Sequence, residues 1–339
     1  MNPFTYLRAA SVDEAARALG ADASARIIAG GTNLVDLMKY DVERPTRLID
    51  ISRIEALRDI ADTADGGLRI GALARNTAAA YHGRVARDYP MLASAILAGA
   101  TAQLRNSATV GGNLLQRTRC YYFYDAGTPC NKRKPGSGCP AIEGRNRIHA
   151  ILGASDQCIA THPSDMCVAL AALEATVRVA GPDGERAIPM AEFHRLPGAA
   201  PQFDTTLKQG EVVTAVDLPP GGFAAHHTYL KLRDRLSYAF ALVSAAAGLD
   251  MADGRVKRAR FALGGVAHKP WRDPQAEAML EGQAPSRDLF EGVADHVLRD
   301  ARGHGDNTFK IGLARRAVVR ALTQAAAGTP QTQTDKRIR

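Results

Sequence analysis

The sequence predicts a protein of mixed strands and helices built in two parts. Three observations carry this. A strand, a helix and a second strand follow one another between Arg26 and Ile51, the spacing of a small βαβ unit. From His227 onward, strand-like segments come first and helical ones after. Between these regions Pro219-Pro220-Gly221-Gly222 interrupts the chain where neither helix nor strand can run through. At 339 residues there is room for two or three domains, each with its own core.

Taken in order, Ser11 to Gly20 reads as a helix with Ser11 as N-cap, Glu14 three residues on, and Gly20 as the stop. Arg26-Ile27-Ile28-Ala29 is an apolar strand, Leu34 to Lys39 a helix and Arg47 to Ile51 a second strand. Leu68 to Ala72 reads as a strand, Asn76 to Tyr81 as a helix and Met91 to Leu97 as a buried helix. Ala150 to Gly153 reads as a short buried strand, Met166 to Leu173 as an apolar helix and Thr176 to Val179 as a strand. Pro182-Asp183-Gly184-Glu185 is a hairpin turn, and Glu211 to Leu218 alternates like a half-buried strand. His227 to Arg233 and Arg258 to Val266 are strands; the small residues of Ala239 to Leu249 suit either strand or helix. Helices follow near 275–280, 289–301 and 310–326, then a polar tail over 331–339.

A hydrophobic fraction of 46% and a charged fraction of 23% suit a soluble globular chain. The net charge of +8 is compatible with nucleic acid, an anionic cofactor or an acidic partner subunit. No run of about twenty apolar residues occurs, so no transmembrane helix is expected. The N-terminus lacks a charged leader followed by an apolar stretch, so the chain is expected to carry no export signal of its own.

Two glycine turns could bring backbone N–H groups to an anion. Ala29-Gly30-Gly31-Thr32-Asn33-Leu34 lies between a strand and a helix, and Thr109-Val110-Gly111-Gly112-Asn113 follows later. Glycine leaves no side chain in the way, and a helix N-terminus favours negative charge. Neither has the Gly-Lys-Ser/Thr ending of a nucleotide-triphosphate loop or the three spaced glycines of a dinucleotide fingerprint. Each taken alone reads first as a tight turn.

All five cysteines, Cys120, Cys130, Cys139, Cys158 and Cys167, fall in one small part of a long chain. That clustering favours metal over a disulfide framework. No Cys-x-x-Cys pair occurs, so zinc-ribbon spacing is absent. Four thiolates from a long loop can still converge on an iron–sulfur cubane, whose negative charge Arg117, Arg119, Lys132, Arg133, Lys134, Arg145 and Arg147 would offset. Cys167 sits on an apolar helix and is read as a buried thiol. The competing reading of the same basic residues, with Tyr121, Tyr122, Phe123 and Tyr124 as base-stacking rings, is an iron–sulfur nucleic-acid-binding protein.

With these motifs in place the chain resembles the FAD-binding medium subunits of the xanthine dehydrogenase/molybdenum hydroxylase family. The two glycine loops are similar to that family's pyrophosphate loops. His162-Pro163-Ser164-Asp165 resembles its Pro-Ser-Asp turn, and Glu211-Val212-Val213 and Lys231 resemble later flavin-site positions. The segment from Gln116 to Cys139 is similar to the insert of bacterial periplasmic aldehyde oxidoreductase flavin subunits, which carry a [4Fe–4S] cluster there; a related insert occurs in 4-hydroxybenzoyl-CoA reductase.

The resemblance implies an α+β fold, with a two-subdomain FAD-binding region of the vanillyl-alcohol-oxidase type over 1–222, divided at about residue 55 and carrying the insert at 116–158. A C-terminal antiparallel sheet with helices, of the CO dehydrogenase flavoprotein type, would occupy 223–330. It implies FAD contacts from Ile27, Ile28, Ala29, Gly30, Gly31, Thr32, Asn33, Leu34, Thr109, Gly111, Gly112, Asn113, Asp165, Val213 and Lys231, and cluster ligation by Cys120, Cys130, Cys139 and Cys158. Asp165 would accept from a ribose or ribityl hydroxyl, or alternatively cap the helix after it. Lys231 would face the reduced flavin, or alternatively be a solvated strand-edge lysine. His162 would be structural, since electron transfer needs no base. Implied partners are a large subunit with molybdenum cofactor, a small subunit with two [2Fe–2S] clusters and an external electron acceptor. The implied activity is electron transfer in aldehyde oxidation, or in reduction of a CoA thioester, with the [4Fe–4S] cluster an electron carrier or a structural one. Co-export with a signal-bearing partner would place the protein in the periplasm; otherwise it would be cytoplasmic.

Overall fold

The computed structural model describes residues 1–236 and 238–333. The expected polar tail therefore lies outside the described residues from 334 onward. Three sheets organise the chain.

The first sheet contains β1 (Thr5–Arg8), β2 (Ala25–Ile28) and β3 (Arg47–Asp50), all parallel, in the order β1-β3-β2. Helix α1 (Val12–Ala21) joins β1 to β2, and α2 (Leu34–Lys39) joins β2 to β3. The expected βαβ unit is present, extended by β1, whose largely exposed residues gave no alternating pattern. Ser11 caps α1 by accepting from the Glu14 N–H at 3.2 Å, and Glu14 returns to the Ala10 N–H at 2.7 Å. Gly20 does not stop this helix, which runs one residue further.

The second sheet is antiparallel. Its strands are β4 (Ile60–Asp62), β5 (Leu68–Gly71), β6 (Thr176–Gly181), β7 (Gly184–Pro189) and β8 (Val212–Leu218), in the order β4-β5-β8-β6-β7. Between β5 and β6 run α3 (Asn76–Tyr81), α4 (Gly83–Asp88), α5 (Pro90–Ala98), α6 (Ala102–Ser107), α7 (Val110–Leu114), α8 (Tyr121–Tyr124) and α9 (Asp165–Ala172); α10 (Met190–Phe193) follows β7. Gly184, at φ 95°, turns the β6–β7 hairpin. Every residue of α9 is buried, which explains its unbroken apolar character.

The third sheet is the antiparallel β9 (His227–Leu232), β10 (Val243–Ala252) and β11 (Arg255–Gly264), with β10 central. Helices α11 (Pro274–Ala278), α12 (Arg287–Val297) and α13 (Phe309–Ala327) complete this part. The ambiguous alanine run is resolved as a strand because both its faces are covered. Ala246, with Tyr229 and Ala262, joins the core formed around α5 and α9. Ala245, Ala247 and Leu249 face the other way, into the core with α12 and α13. Small side chains let helices pack closely on both sides, and this burial outweighs alanine's helix propensity.

Ala150 to Gly153 is not a strand. It is a buried irregular segment whose Ile151 and Leu152 N–H groups both donate to the Val266 carbonyl, at 2.9 and 3.0 Å.

Candidate functional site: a glycine cradle beside a four-cysteine pocket

The first glycine loop connects β2 to α2. Among the described residues, the N–H groups of Gly30, Gly31, Thr32, Asn33 and Leu34 have no hydrogen-bond partner. No side chain caps α2, and the buried Asn33 Nδ2 is also unpaired. A run of unmet donors is what an anion needs. Gly30 must be glycine here because a Cβ would collide with the Ser107 carbonyl. The Ser107 hydroxyl donates to the Gly30 carbonyl at 3.0 Å, and Asn33 Oδ1 accepts from the Arg117 N–H at 2.9 Å. These contacts seat the first loop against the chain on both sides of the second. Ile27, Ile28, Ala29 and Leu34 remain half-buried around it.

The second loop is not an open cradle of N–H groups. Thr109 caps α7. Val110 and Gly111 donate to the Ala74 and Ala72 carbonyls at 3.0 and 2.8 Å, Gly112 to Thr109 Oγ1 at 3.2 Å and Asn113 to the Thr109 carbonyl at 2.8 Å. A Cβ at Gly111 would press on Ala72, 3.1 Å from its Cβ and 3.2 Å from its carbonyl oxygen. The spacing could not show that every donor is used internally. What this loop presents outward is the exposed Gly112 backbone and the Asn113 side chain, whose Oδ1 accepts from the Ser164 hydroxyl at 2.7 Å.

That bond brings in the Pro-Ser-Asp turn. Ser164 is the N-cap of α9, accepting from the Cys167 N–H at 3.1 Å, so Asp165 is freed from capping. Asp165 Oδ1 instead accepts from the Tyr229 hydroxyl at 2.6 Å, and Oδ2 from Lys231 Nζ at 2.7 Å. Lys231 also donates to the Ala98 carbonyl at 3.1 Å. Its side chain is only 3% exposed, so it is not a solvated edge lysine although β9 is an edge strand. Burial, then the Asp165 charge, push the Tyr229 phenol well above its ordinary range. Tyr229 had no signal of its own in the sequence.

Val213 is buried in the core of the second sheet, where it pairs with Val179. Glu211 is held by Arg186 at 2.6 and 2.7 Å and caps the Lys208 N–H, so it does not join the group around Asp165.

The cysteine insert folds around one pocket lined by Cys120, Cys130, Cys139 and Cys158, with Thr118, Phe123 and His149. All four are free thiols. Ser137 Oγ fixes the Cys130 N–H at 3.0 Å, and Gly138, at φ 104°, donates to Asn131 Oδ1 at 2.8 Å, closing the loop between two of the cysteines. The Ala160 N–H points at Cys158 Sγ, 3.4 Å away. Burial pushes the Cys120 thiol up to about 12 and that of Cys158 to about 11. Thiols as buried as Cys120 and Cys158 ionise when a metal centre takes their protons' place. The donor set therefore fits a Cys₄ cluster. Cys167 lies outside this pocket, fully buried in α9 near His162 and His194. His162 is buried, its ring 4.2 Å from that of His194, and burial drives its pKa well below the ordinary value.

The expected charge compensation is largely redirected. Arg133 spends its guanidinium on the carbonyls of Tyr122, Phe123, Asp125 and Thr128. Arg147 pairs with Asp234, and Arg117 pairs with Asp204 and Glu43. Arg119 donates to the Tyr124 hydroxyl and stacks on Phe240, while Arg145 is exposed. Of the seven expected, only Lys132 lines the pocket, and it shares its charge with Asp204 at 2.5 Å. Lys134 is exposed like Arg145, while the guanidinium groups of Arg117, Arg133 and Arg147 are folded onto carbonyls and carboxylates and are not offered to a phosphate. The pocket and cradle share a wall: Leu37 of α2 packs with Cys120, Phe123 and Cys158, and the Tyr124 hydroxyl donates to Asp36 at 3.0 Å.

Comparison with known proteins bears on this arrangement. The family described as FAD binding domain in molybdopterin dehydrogenase matches residues 2–221, and the CO dehydrogenase flavoprotein C-terminal domain matches residues 227–325. The chain is 52% identical to the aldehyde oxidoreductase FAD-binding subunit PaoB of Escherichia coli K12, over 96% of this chain and 99% of that one. It is 27% identical to the glyceraldehyde dehydrogenase medium chain of Sulfolobus acidocaldarius, over 95% and 96%. The structure matches carbon monoxide dehydrogenase from Hydrogenophaga pseudoflava with a TM-score of 0.75 at 28% identity, covering 96% of this chain and 98% of that chain. The two matched families span nearly the whole chain in the order the fold displays, and the chain accordingly belongs to the FAD-binding subunits of the molybdenum hydroxylases, enzymes whose molybdenum site lies on another subunit.

Proposed function

We propose that this chain is the electron-transfer subunit of a heterotrimeric molybdenum-dependent aldehyde oxidoreductase, holding FAD and a [4Fe–4S] cluster. In this reading FAD supplies an electron-accepting ring that takes electrons from two [2Fe–2S] clusters of a small partner, ultimately from aldehyde at the molybdenum cofactor of a large partner, and yields them to an external acceptor. The chain's own residues bind and orient. Gly30 to Leu34 offer N–H groups to the pyrophosphate, with Ile27, Ile28 and Ala29 beside them. Thr109, Gly111, Gly112 and Asn113 brace that loop and carry Ser164. Asp165 keeps acceptor capacity for a hydroxyl beyond its two present bonds, and Lys231 places positive charge at the same turn. Cys120, Cys130, Cys139 and Cys158 ligate the cluster. The observation that carries this reading is the convergence of four free cysteines on one pocket that shares a wall with an unpaired backbone cradle. Likeness to an aldehyde oxidoreductase subunit at 52% identity favours aldehyde over CoA-thioester chemistry.

We further propose a periplasmic location through co-export with a signal-bearing partner, to be checked by fractionating cells that express the complex. The function is tested by mixing the purified complex anaerobically with an aromatic or aliphatic aldehyde. The flavin absorption should bleach, and return when an acceptor is added; the isolated chain should not respond to aldehyde. Flavin that stays oxidised in an active complex would overturn the assignment.

A further inference from the structure

We propose that His149 is a positioning residue for the cluster: it donates from Nε2 to Cys120 Sγ and, braced by the buried Lys310, sets the cluster's reduction potential. This rests on the reading of the four-cysteine pocket as an iron–sulfur site. His149 Nε2 lies 3.0 Å from Cys120 Sγ, and the residue is 1% exposed. A cysteine that ligates iron is a thiolate and can only accept, so the proton must sit on Nε2. Nδ1 makes no hydrogen bond of ordinary geometry, the Asn146 carbonyl near the ring being taken by the His149 backbone N–H, and it is then a bare lone pair rather than a stranded donor. An unmet N–H is the rarer arrangement in buried sites, so the lone partner of this ring favours the same tautomer.

Lys310 fixes the ring's backbone. It is fully buried, and its Nζ donates to the carbonyls of His149 at 2.8 Å, Gly265 at 2.5 Å and Ile148 at 3.4 Å. Among the described residues no carboxylate pairs with it. Asn307 adds a bond to the Ala150 carbonyl at 2.9 Å, and the His149 N–H donates to the Asn146 carbonyl at 2.9 Å. A buried ammonium without a counter-ion is costly unless negative charge lies nearby. A cubane held by the four cysteines would supply that charge on the far side of His149, which lines the pocket. Hydrogen bonds to cluster sulfurs and nearby positive charge both stabilise the more negative, reduced state, which gains one electron and no proton.

The test uses the full chain purified with the partners that accompany it, with the cluster titrated by potential and followed by electron paramagnetic resonance. His149→Phe should keep its iron and titrate at a more negative potential than the parent. His149→Gln, which retains an N–H donor, should recover part of the shift. Lys310→Met should move the potential the same way, and keeps the test open if His149→Phe folds poorly. An intact cluster at the parent potential in both His149→Phe and Lys310→Met would overturn the proposal. Iron loss in both His149 variants would overturn it too, by making His149 a ligand. A parent chain with no cluster would defeat the iron–sulfur reading itself, a distinguishable result.

Discussion

Lys231 and Asp165, 66 residues apart in sequence, form a buried ion pair at 2.7 Å that ties the third sheet to the N-terminus of α9. The side chains are 3% and 7% exposed, so solvent screens the pair little. Lys231→Met strands the carboxylate with Tyr229 as its remaining side-chain donor, and Asp165→Asn leaves an uncompensated ammonium. Either should lower stability by about 3–5 kcal/mol, and the double variant Asp165→Asn/Lys231→Met by less than the sum. Urea unfolding of the three variants checks this. Flavin content should fall in all three, because Asp165 follows the Ser164 that is bonded to the second glycine loop and Lys231, on β9, pairs with it.

The two glycine loops make different predictions although they look alike in sequence. Gly30→Ala should drive the first loop away from Ser107 and lower bound flavin at least tenfold. Gly112→Ala meets only Thr109 Oγ1, at 3.1 Å, and should keep most of its flavin. Equilibrium dialysis of FAD against the two variants separates them. Equal losses would mean that the cradle is not specific to the first loop.

This contrast marks how far the sequence could be read. Composition and spacing located the two glycine loops and the cysteine cluster, because cysteines gathered in one part of a long chain and paired glycines beside apolar runs stand out, while the Pro-Ser-Asp turn came from the family resemblance. They could not show which loop keeps its N–H groups free, since that depends on where Ala72 and Ala74 pass. The basic residues of the insert misled for a related reason. Charge is visible in sequence, but the carbonyls that absorb Arg133 are not. In the fold, Ala245-Ala246-Ala247 stayed ambiguous because a strand covered on both faces loses the alternation that identifies one. His149, Tyr229 and Lys310 were invisible because their partners lie far along the chain.

Stability should fall in mild acid. Burial pushes the His194 pKa from the ordinary 6.5 down to about 4, and Nε2 contacts the Leu114 carbonyl at 2.8 Å. The unfolded chain takes this proton near pH 6.5, whereas the folded chain refuses it until about pH 4. The contribution is therefore intact above pH 6.5 and is lost as pH falls toward 4, by roughly 3 kcal/mol for this one group. Unfolding free energies measured from pH 7.5 to 4.5 should show that slope, flattened in His194→Phe after allowance for its lower baseline. A slope unchanged by the substitution would remove His194 as its source.

The central claim is that four particular cysteines share one iron–sulfur centre beside the flavin. Iron and acid-labile sulfide per chain, measured on the parent, on Cys120→Ser, Cys130→Ser, Cys139→Ser and Cys158→Ser, and on Cys167→Ser, test it most directly. The account predicts about four irons in the parent and in Cys167→Ser, with loss or degradation of the centre in the other four. A parent without iron, or the same iron content in all six proteins, would contradict it.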